Sequence, residues 1–445
     1  MKLLTKEKKA AVRQVMYLSI PAILAEISSI IMQYIDAAMV GHIGAHATAA
    51  IGLVSTTTWL IGGLCISSAT GFSVQIAQLC GAKRYEDASG VFKQALKCCM
   101  VFGLLLMGAA LAVSRPLPSL LRGDRALYDD ASAYFFIFAL ALPFEQLRYV
   151  CGSALQCSGN MKTPSILNTL LCVLDVLFNT LFIFGLDMGV KGAALGTAAS
   201  EVCISLLMFF FAAFKSDTLS FRIGGSGRLT GSCLKTALRI AIPSAFEHTI
   251  MCAAYVATTY IAAPLGTVSL AANSLAVTAE SLCYMPGYGI GSAATTLVGQ
   301  SIGAGDKAKA KSYANICVIM GMLIMAVSGI IMFFISPFVF TLLTSSAEVA
   351  ALGTLVLRIE VFAEPLYGAS IVCAGALRGA GDTLLPSIMS LISMWGVRIT
   401  SSVFLVRIMG LKGMWIAMCG ELCFRGIIFL IRLMRGKWLD IKLKI

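Results

Sequence analysis

Apolar residues in this chain run in long stretches, separated by short polar or Gly/Pro-marked breaks, with no sustained alternation of the kind a half-buried strand shows. About 20 mainly apolar residues carry a helix across a bilayer. Counted between breaks, the pattern predicts twelve such helices, at 15–40, 48–80, 92–113, 126–157, 163–185, 190–214, 235–263, 268–301, 312–335, 347–377, 384–409 and 412–433. Several exceed the thickness of a bilayer, which predicts tilt, kinks or protrusion into the cytoplasm.

The pattern also repeats. The offset that carries Pro21 to Pro243 also pairs Gly44 with Gly266, Gln78 with Gln300, Gly81-Ala82 with Gly303-Ala304, Pro143 with Pro365, Gly159 with Gly381 and Pro164-Ser165-Ile166 with Pro386-Ser387-Ile388. Chance matches among Ala and Leu are cheap, but a register of Pro and Gly held over most of a lobe is not. Each copy holds six helices, an even number, so both copies meet the membrane in the same sense and form parallel repeats. The expected fold is an all-α polytopic membrane protein of two pseudo-symmetric six-helix lobes, 1–214 and 235–445, joined by a Gly/Ser/Arg-rich cytoplasmic linker at 215–234.

Composition agrees with a membrane protein and excludes a soluble globule: 58% of residues are hydrophobic, 13% are charged, and mean hydropathy is +0.87. The formal net charge of +12 sits in short clusters between apolar stretches, which makes it a topology signal rather than a nucleic-acid face. Lys2 to Arg13, Lys83 to Lys97, Lys162, Lys215 to Arg239, Lys307 to Lys311 and the C-terminal cluster mark alternate loops, so both termini are expected in the cytoplasm. The first apolar stretch is too long for a signal peptide and is expected to remain as a helix. The 15 Cys lie in apolar segments without a CxxC or Cys/His ligand spacing and read as small packing residues. His42 and His46 lack a third ligand nearby and read as loop or helix-end residues.

Chemistry is sought among acids inside apolar segments, which are costly there and mark function by default. Asp36 lies in helix 1 and Asp175 in helix 5, while the repeat offset carries them to Thr258 and Val397. The first repeat alone keeps both acids. Asp36 can take up and release a proton, or, with Asp175, Asn179 and Thr197, offer the oxygen ligands that Na⁺ requires. Glu247, one turn after Pro243, and Glu280 in helix 8 are either substrate-facing acids or interhelical hydrogen-bonding residues. Gln33, Tyr34, Asn273, Tyr284, Met285 and Tyr288 lie on the equivalent helices 1 and 8 and are expected to line a substrate cleft. Pro286-Gly287 is expected to bend or loosen helix 8. Of the other intramembrane charges, Glu421 and Arg425 are spaced for a local ion pair, Glu145 and Arg148 are expected to satisfy each other, and Arg398 is expected to meet Glu360 or Glu364.

Duplicated six-helix lobes suggest a transporter working by alternating access. A duplicated channel or an intramembrane enzyme is the competing class, although HExxH, GxSxG and metal-cluster patterns are all missing from the sequence.

The segment Asp36-Ala-Ala-Met-Val-Gly-His-Ile-Gly44 resembles the first-helix signature of the multidrug and toxic compound extrusion (MATE) transporters. Further matches are Gly189-Val-Lys-Gly-Ala-Ala-Leu-Gly-Thr197, Gly299-Gln-Ser-Ile-Gly-Ala-Gly305 and Gly375-Ala-Leu-Arg-Gly-Ala-Gly-Asp-Thr383. The resemblance spans nearly the whole chain and is to the bacterial, DinF-like branch. It implies a cation-coupled antiporter, using H⁺ or Na⁺ and no other cofactor, that exports small organic, often cationic or aromatic compounds and functions as a monomer in the cell membrane. It also implies cation coupling at Asp36, Asp175, Asn179 and Thr197, with kinks at Pro21 and Pro243. Helix 5 of that branch usually reads Asn-x-x-x-Asp, whereas this chain reads Asp175-Val-Leu-Phe-Asn179, so acid and amide are exchanged on one helix face. The NorM-like branch places acids in helices 7 and 10, at positions that fall here on Met251 and Tyr367. A flippase for a lipid-linked or amphipathic precursor is the runner-up, since related proteins share the duplicated architecture.

Overall fold

The computed structural model describes residues 6–344, 346–441 and 443. Among them every regular element is helical. Twelve long helices follow one another: α1 (Lys6–Ile43), α2 (Ala45–Gly81), α3 (Tyr85–Ser114), α4 (Tyr128–Cys157), α5 (Lys162–Asn179), α6 (Gly189–Phe210), α7 (Gly231–Ala262), α8 (Thr267–Gly303), α9 (Lys307–Leu343), α10 (Ala347–Glu360 and, after a turn, Glu364–Gly379), α11 (Leu384–Leu391 continuing through Thr400–Met409) and α12 (Leu411–Met434). Among the described residues these helices leave large apolar side chains exposed, such as Tyr260, Phe334, Leu342 and Ile408. Such a surface suits hydrocarbon and not water.

The duplication governs where helices begin and end. The offset between Pro21 and Pro243 separates both the starts and the ends of α2 and α8, and it also separates the starts of α3 and α9, α5 and α11, and α6 and α12. The turns obey it too: left-handed backbone occurs at Gly44 and Gly266, at Lys83 and Gly305, and at Gly159 and Gly381. The paired glycines read from sequence are the residues that tolerate this conformation.

By internal contact the chain divides into two compact units, one of them built on Ser28–Ala245 and the other holding the chain up to Ile27 together with Phe246 onward. Both boundaries fall inside helices, α1 and α7, a few residues after Pro21 and Pro243. The sequence repeats and the compact units are therefore different divisions of the chain.

In the Ser28–Ala245 unit, α4 packs on α2, α3 and α6, and α5 packs on α6. Phe92, Leu155, Ile204 and Met208 fill the interior. The linker is pinned to α3: Ser89 donates to the Ser220 carbonyl at 3.2 Å, and the Thr230 backbone N–H donates to Gln94 at 3.0 Å. In the other unit α10 packs on α8, α9 and α12. There Gly375 approaches so closely that a Cβ would lie 2.4 Å from the Gly291 carbonyl oxygen, and the Thr295 hydroxyl donates to the Gly375 carbonyl at 2.8 Å. Small residues four apart on each helix permit this contact. α8 runs as helix through Pro286, so the Pro286-Gly287 pair does not interrupt it.

Candidate functional site

Asp36 on α1 and Asp175 and Asn179 on α5 meet within the Ser28–Ala245 unit. The Asn179 side-chain amide has two N–H groups and uses both: Nδ2 donates to Asp36 Oδ1 at 3.0 Å and to Asp175 Oδ2 at 2.9 Å. Asp175 lies one helical turn before Asn179, so the spacing of four seen in sequence is what aligns acid and amide. Asp175 is 0% exposed and Asn179 2% exposed, whereas Asp36 is half-buried. The two carboxylates act on one another electrostatically. A proton or a cation between them relieves that repulsion.

The remaining partners come from α6. The Ser200 hydroxyl lies 3.3 Å from Asp175 Oδ1 and 2.8 Å from the Thr197 carbonyl oxygen, both of them acceptors. Thr197 thus takes part through its backbone, and its residue is exposed. The side-chain hydroxyl of the cluster is that of Ser200, one turn further on. Gly196 makes the close approach of α6 to α5 possible: a Cβ there would sit 2.0 Å from Asn179 Oδ1 and 2.8 Å from the Asn179 backbone nitrogen. Tyr134 on α4 is within electrostatic reach of both acids. Sequence reading singled out none of Ser200, Gly196 and Tyr134, although Gly196 lies in the Gly189–Thr197 motif. The first two leave a trace in it, since both share a face of α6 with the motif residue Gly192 at i, i+4, i+8 spacing. Tyr134 leaves none. Past Asn179 the helix widens to a π-turn over Thr180–Gly185, a distortion frequent at functional sites.

The other charges of this unit are arranged differently from the local pairing expected. Arg148 forms its ion pair with Glu201 on α6, donating at 2.6 Å, while its guanidinium stacks on Tyr149 at 4.4 Å. An i,i+3 spacing permits an ion pair, but a neighbouring helix offered a better-placed carboxylate. Gln33 is exposed and Tyr34 half-buried on α1. His46 donates to the Ala126 carbonyl at 3.0 Å and His42 to Ala38 at 2.8 Å, both at helix ends.

In the unit from Phe246 onward, Glu247 accepts hydrogen bonds from Ser387 at 3.1 Å and Ser390 at 2.8 Å, joining α7 to α11. Asn273 accepts from the Trp415 indole at 3.0 Å. These two are interhelical links. Glu280 and Tyr284 face a narrow internal cavity, Met285 is half-buried beside it in sequence, and Tyr288 is 39% exposed and stacks edge-on against Tyr284. Glu421 and Arg425 form the expected i,i+4 pair, at 2.7 and 2.8 Å. Arg398 does not bond Glu360 or Glu364: its guanidinium reaches the sulfurs of Met418 at 2.8 Å and Met394 at 4.0 Å. All four carboxyl oxygens of Glu360 and Glu364 are buried without a hydrogen-bond partner.

Comparison with known proteins agrees with this architecture. The family model described as MatE matches residues 21–181 and again 243–404, two copies whose first residues are Pro21 and Pro243, in the register of the internal repeat. The chain is 26% identical over 447 residues to the probable multidrug resistance protein NorM of Thermotoga maritima, covering 98% of this chain and 95% of that protein. It is 22% identical over 435 residues to the multidrug export protein MepA of Staphylococcus saprophyticus, covering 97% and 96%. A crystal structure described as MATE in the straight conformation superposes with a TM-score of 0.90 at 22% identity over 97% of each chain. With the twice-matched repeat spanning most of its length, the chain belongs to the MatE family of membrane transporters.

Proposed function

We propose that this protein is a proton-coupled antiporter that exports small organic compounds, many of them cationic or aromatic, by alternating access. The observation that carries the reading is the Asn179 amide donating to both Asp36 and Asp175. A Na⁺ site needs a ring of oxygens aimed at one point. Here the middle of the cluster is held by a nitrogen donor, and Asn179 Oδ1 points away from both acids toward Gly196. That arrangement suits a proton shared by two carboxylates and braced by an amide. Half-buried Asp36 is the group through which the proton enters, and Asp175 is its interior partner. Neutralising Asp36 removes its demand for polar partners, loosens α1 from α5, and lets α1 bend at Pro21, where the helix lacks a backbone donor. In this reading both termini are cytoplasmic and the protein works as a monomer.

The relatives' names support export of multiple compounds. The test is uptake of a fluorescent cationic dye into proteoliposomes under an imposed pH gradient or an imposed Na⁺ gradient. Uptake driven by the pH gradient alone is expected. Uptake driven only by Na⁺ would overturn proton coupling, and no uptake under either would overturn antiport.

A further inference from the structure

We propose that the charged start of α1 is a binding site for an anionic phospholipid, with Lys9 and Arg13 holding the phosphate and the apolar residues beyond them carrying an acyl chain. Lys9, Val12, Arg13, Met16 and Tyr17 line one recess of about 410 Å³, within the size range of small-molecule sites. Their i, i+3, i+4, i+7, i+8 spacing puts all five on a single face of the helix. The opposite side of α1 is occupied: Val15 and Leu18 are buried, and Gln14 accepts a hydrogen bond from the Tyr313 hydroxyl of α9 at 2.5 Å. Those contacts fix the rotation of the helix and turn the basic face outward. Lys9 and Arg13 are exposed, and among the described residues neither belongs to an ion pair.

Charge and hydropathy along this face match a phospholipid from end to end. Residues 1–13 carry five basic side chains and one acid, after which the sequence turns apolar. On the same face Met16, Ile20 and Leu24 stay exposed. Lys and Arg lay their stems along apolar surface while their heads reach the headgroup layer, and a tyrosine such as Tyr17 suits that boundary. An inorganic anion would use the two basic residues and leave the apolar run uncovered. A neutral lipid would cover the run and leave both charges uncompensated, whereas an anionic phospholipid satisfies both. The duplication keeps the pattern: the offset between Pro21 and Pro243 carries Arg13 to Lys235, Tyr17 to Arg239, Met16 to Leu238, Ile20 to Ile242 and Leu24 to Phe246, all of them exposed on α7. Ile20 and Leu24 lie on either side of Pro21, so an acyl chain along this face spans the bend proposed above.

Phosphatidylglycerol and phosphatidylcholine with the same photoactivatable acyl chain are a matched probe pair. Each is titrated onto the purified full chain in detergent, and labelling of the Met16–Leu24 stretch is read by peptide mass spectrometry, which separates α1 from α7. Phosphatidylglycerol is expected to label that stretch at a concentration about 25-fold lower than phosphatidylcholine, close to fivefold for each basic residue. Lys9→Gln with Arg13→Gln should abolish the preference, and Lys9→Arg with Arg13→Lys should keep it. Lys215→Gln with Lys311→Gln removes the same net charge at exposed positions elsewhere and should change nothing. Equal labelling by the two lipids in the wild type, an undiminished preference in the Lys9/Arg13 glutamine variant, or the same loss in the Lys215/Lys311 variant overturns the site. Protection by glycerol 3-phosphate at the concentration at which the lipid binds would make this a soluble-phosphate site and overturn the lipid assignment. If the glutamine variant fails to fold, salt decides on the wild type: raising it to about 0.5 M must shrink the preference, and an unchanged preference refutes the role of the two charges.

Discussion

Replacing Gly196 by Ala adds one methyl group at the point where α6 touches Asn179. The new Cβ would lie 2.0 Å from Asn179 Oδ1, 2.8 Å from its backbone nitrogen and 3.0 Å from its Cα, against an ordinary contact of at least 3.4 Å. To restore that contact Oδ1 has to retreat by the whole shortfall, and because the backbone is struck as well, rotating the side chain does not suffice; α5 and α6 must separate locally. The Nδ2 of the same amide bonds Asp36 at 3.0 Å and Asp175 at 2.9 Å. A displacement of that size breaks at least one of them, since an N–H···O bond is spent beyond about 3.5 Å. Overpacking of this kind costs about 1–3 kcal/mol of stability, and a misplacement of about 1 Å in a working site costs on the order of 100-fold in rate. The expected result is therefore a protein that is still made and folded, with a moderately lowered melting temperature and proton-driven dye uptake reduced by roughly 100-fold. Gly108→Ala on α3 is the control, because a Cβ there meets nothing within 4 Å and Ala is the better helix former by about 0.5–1 kcal/mol. Uptake by Gly196→Ala at the wild-type rate would refute the claim that the position of Asn179 governs coupling.

Asp36→Asn is expected to abolish gradient-driven export while leaving expression and folding near normal, because the amide mimics only the neutral acid; full export in proteoliposomes would make Asp36 structural. Asp175→Asn should impair coupling nearly as much, and the double change Asp175→Asn with Asn179→Asp, which restores the helix 5 order of the resembling branch, should recover part of it. If Asp175→Asn transports normally while Asn179→Ala does not, the amide is the essential α5 group and Asp36 acts alone. Glu201→Gln leaves the Arg148 guanidinium without its carboxylate between α4 and α6, where side-chain exposures are only 14% and 11%, and should cost about 3 kcal/mol. Thermal denaturation in detergent reads that loss, and a shift of less than about 2 °C would show the pair to be dispensable.

Twelve helices, their approximate ends and the duplication were legible in the chain because each rests on local physics: apolar length against bilayer thickness, and Gly or Pro wherever the backbone turns. The two acids of α1 and α5 stood out for the same reason, since a carboxylate in an apolar stretch is costly wherever the rest of the protein lies. What sequence separation hides is the choice of partner. Arg148 had an acid one turn away and took Glu201 from another helix, Arg398 had acids within reach and took two methionine sulfurs, and Glu247 proved to be a bridge to two serines of α11. Ser200 rather than the Thr197 side chain completes the acid cluster, because the rotation of α6 about its axis decides which hydroxyl faces Asp175. Helix rotation and crossing are set by interdigitation of small and large side chains over whole faces, as at Gly196 and Gly375. No local window of sequence contains that information, and only the packed tertiary structure expresses it.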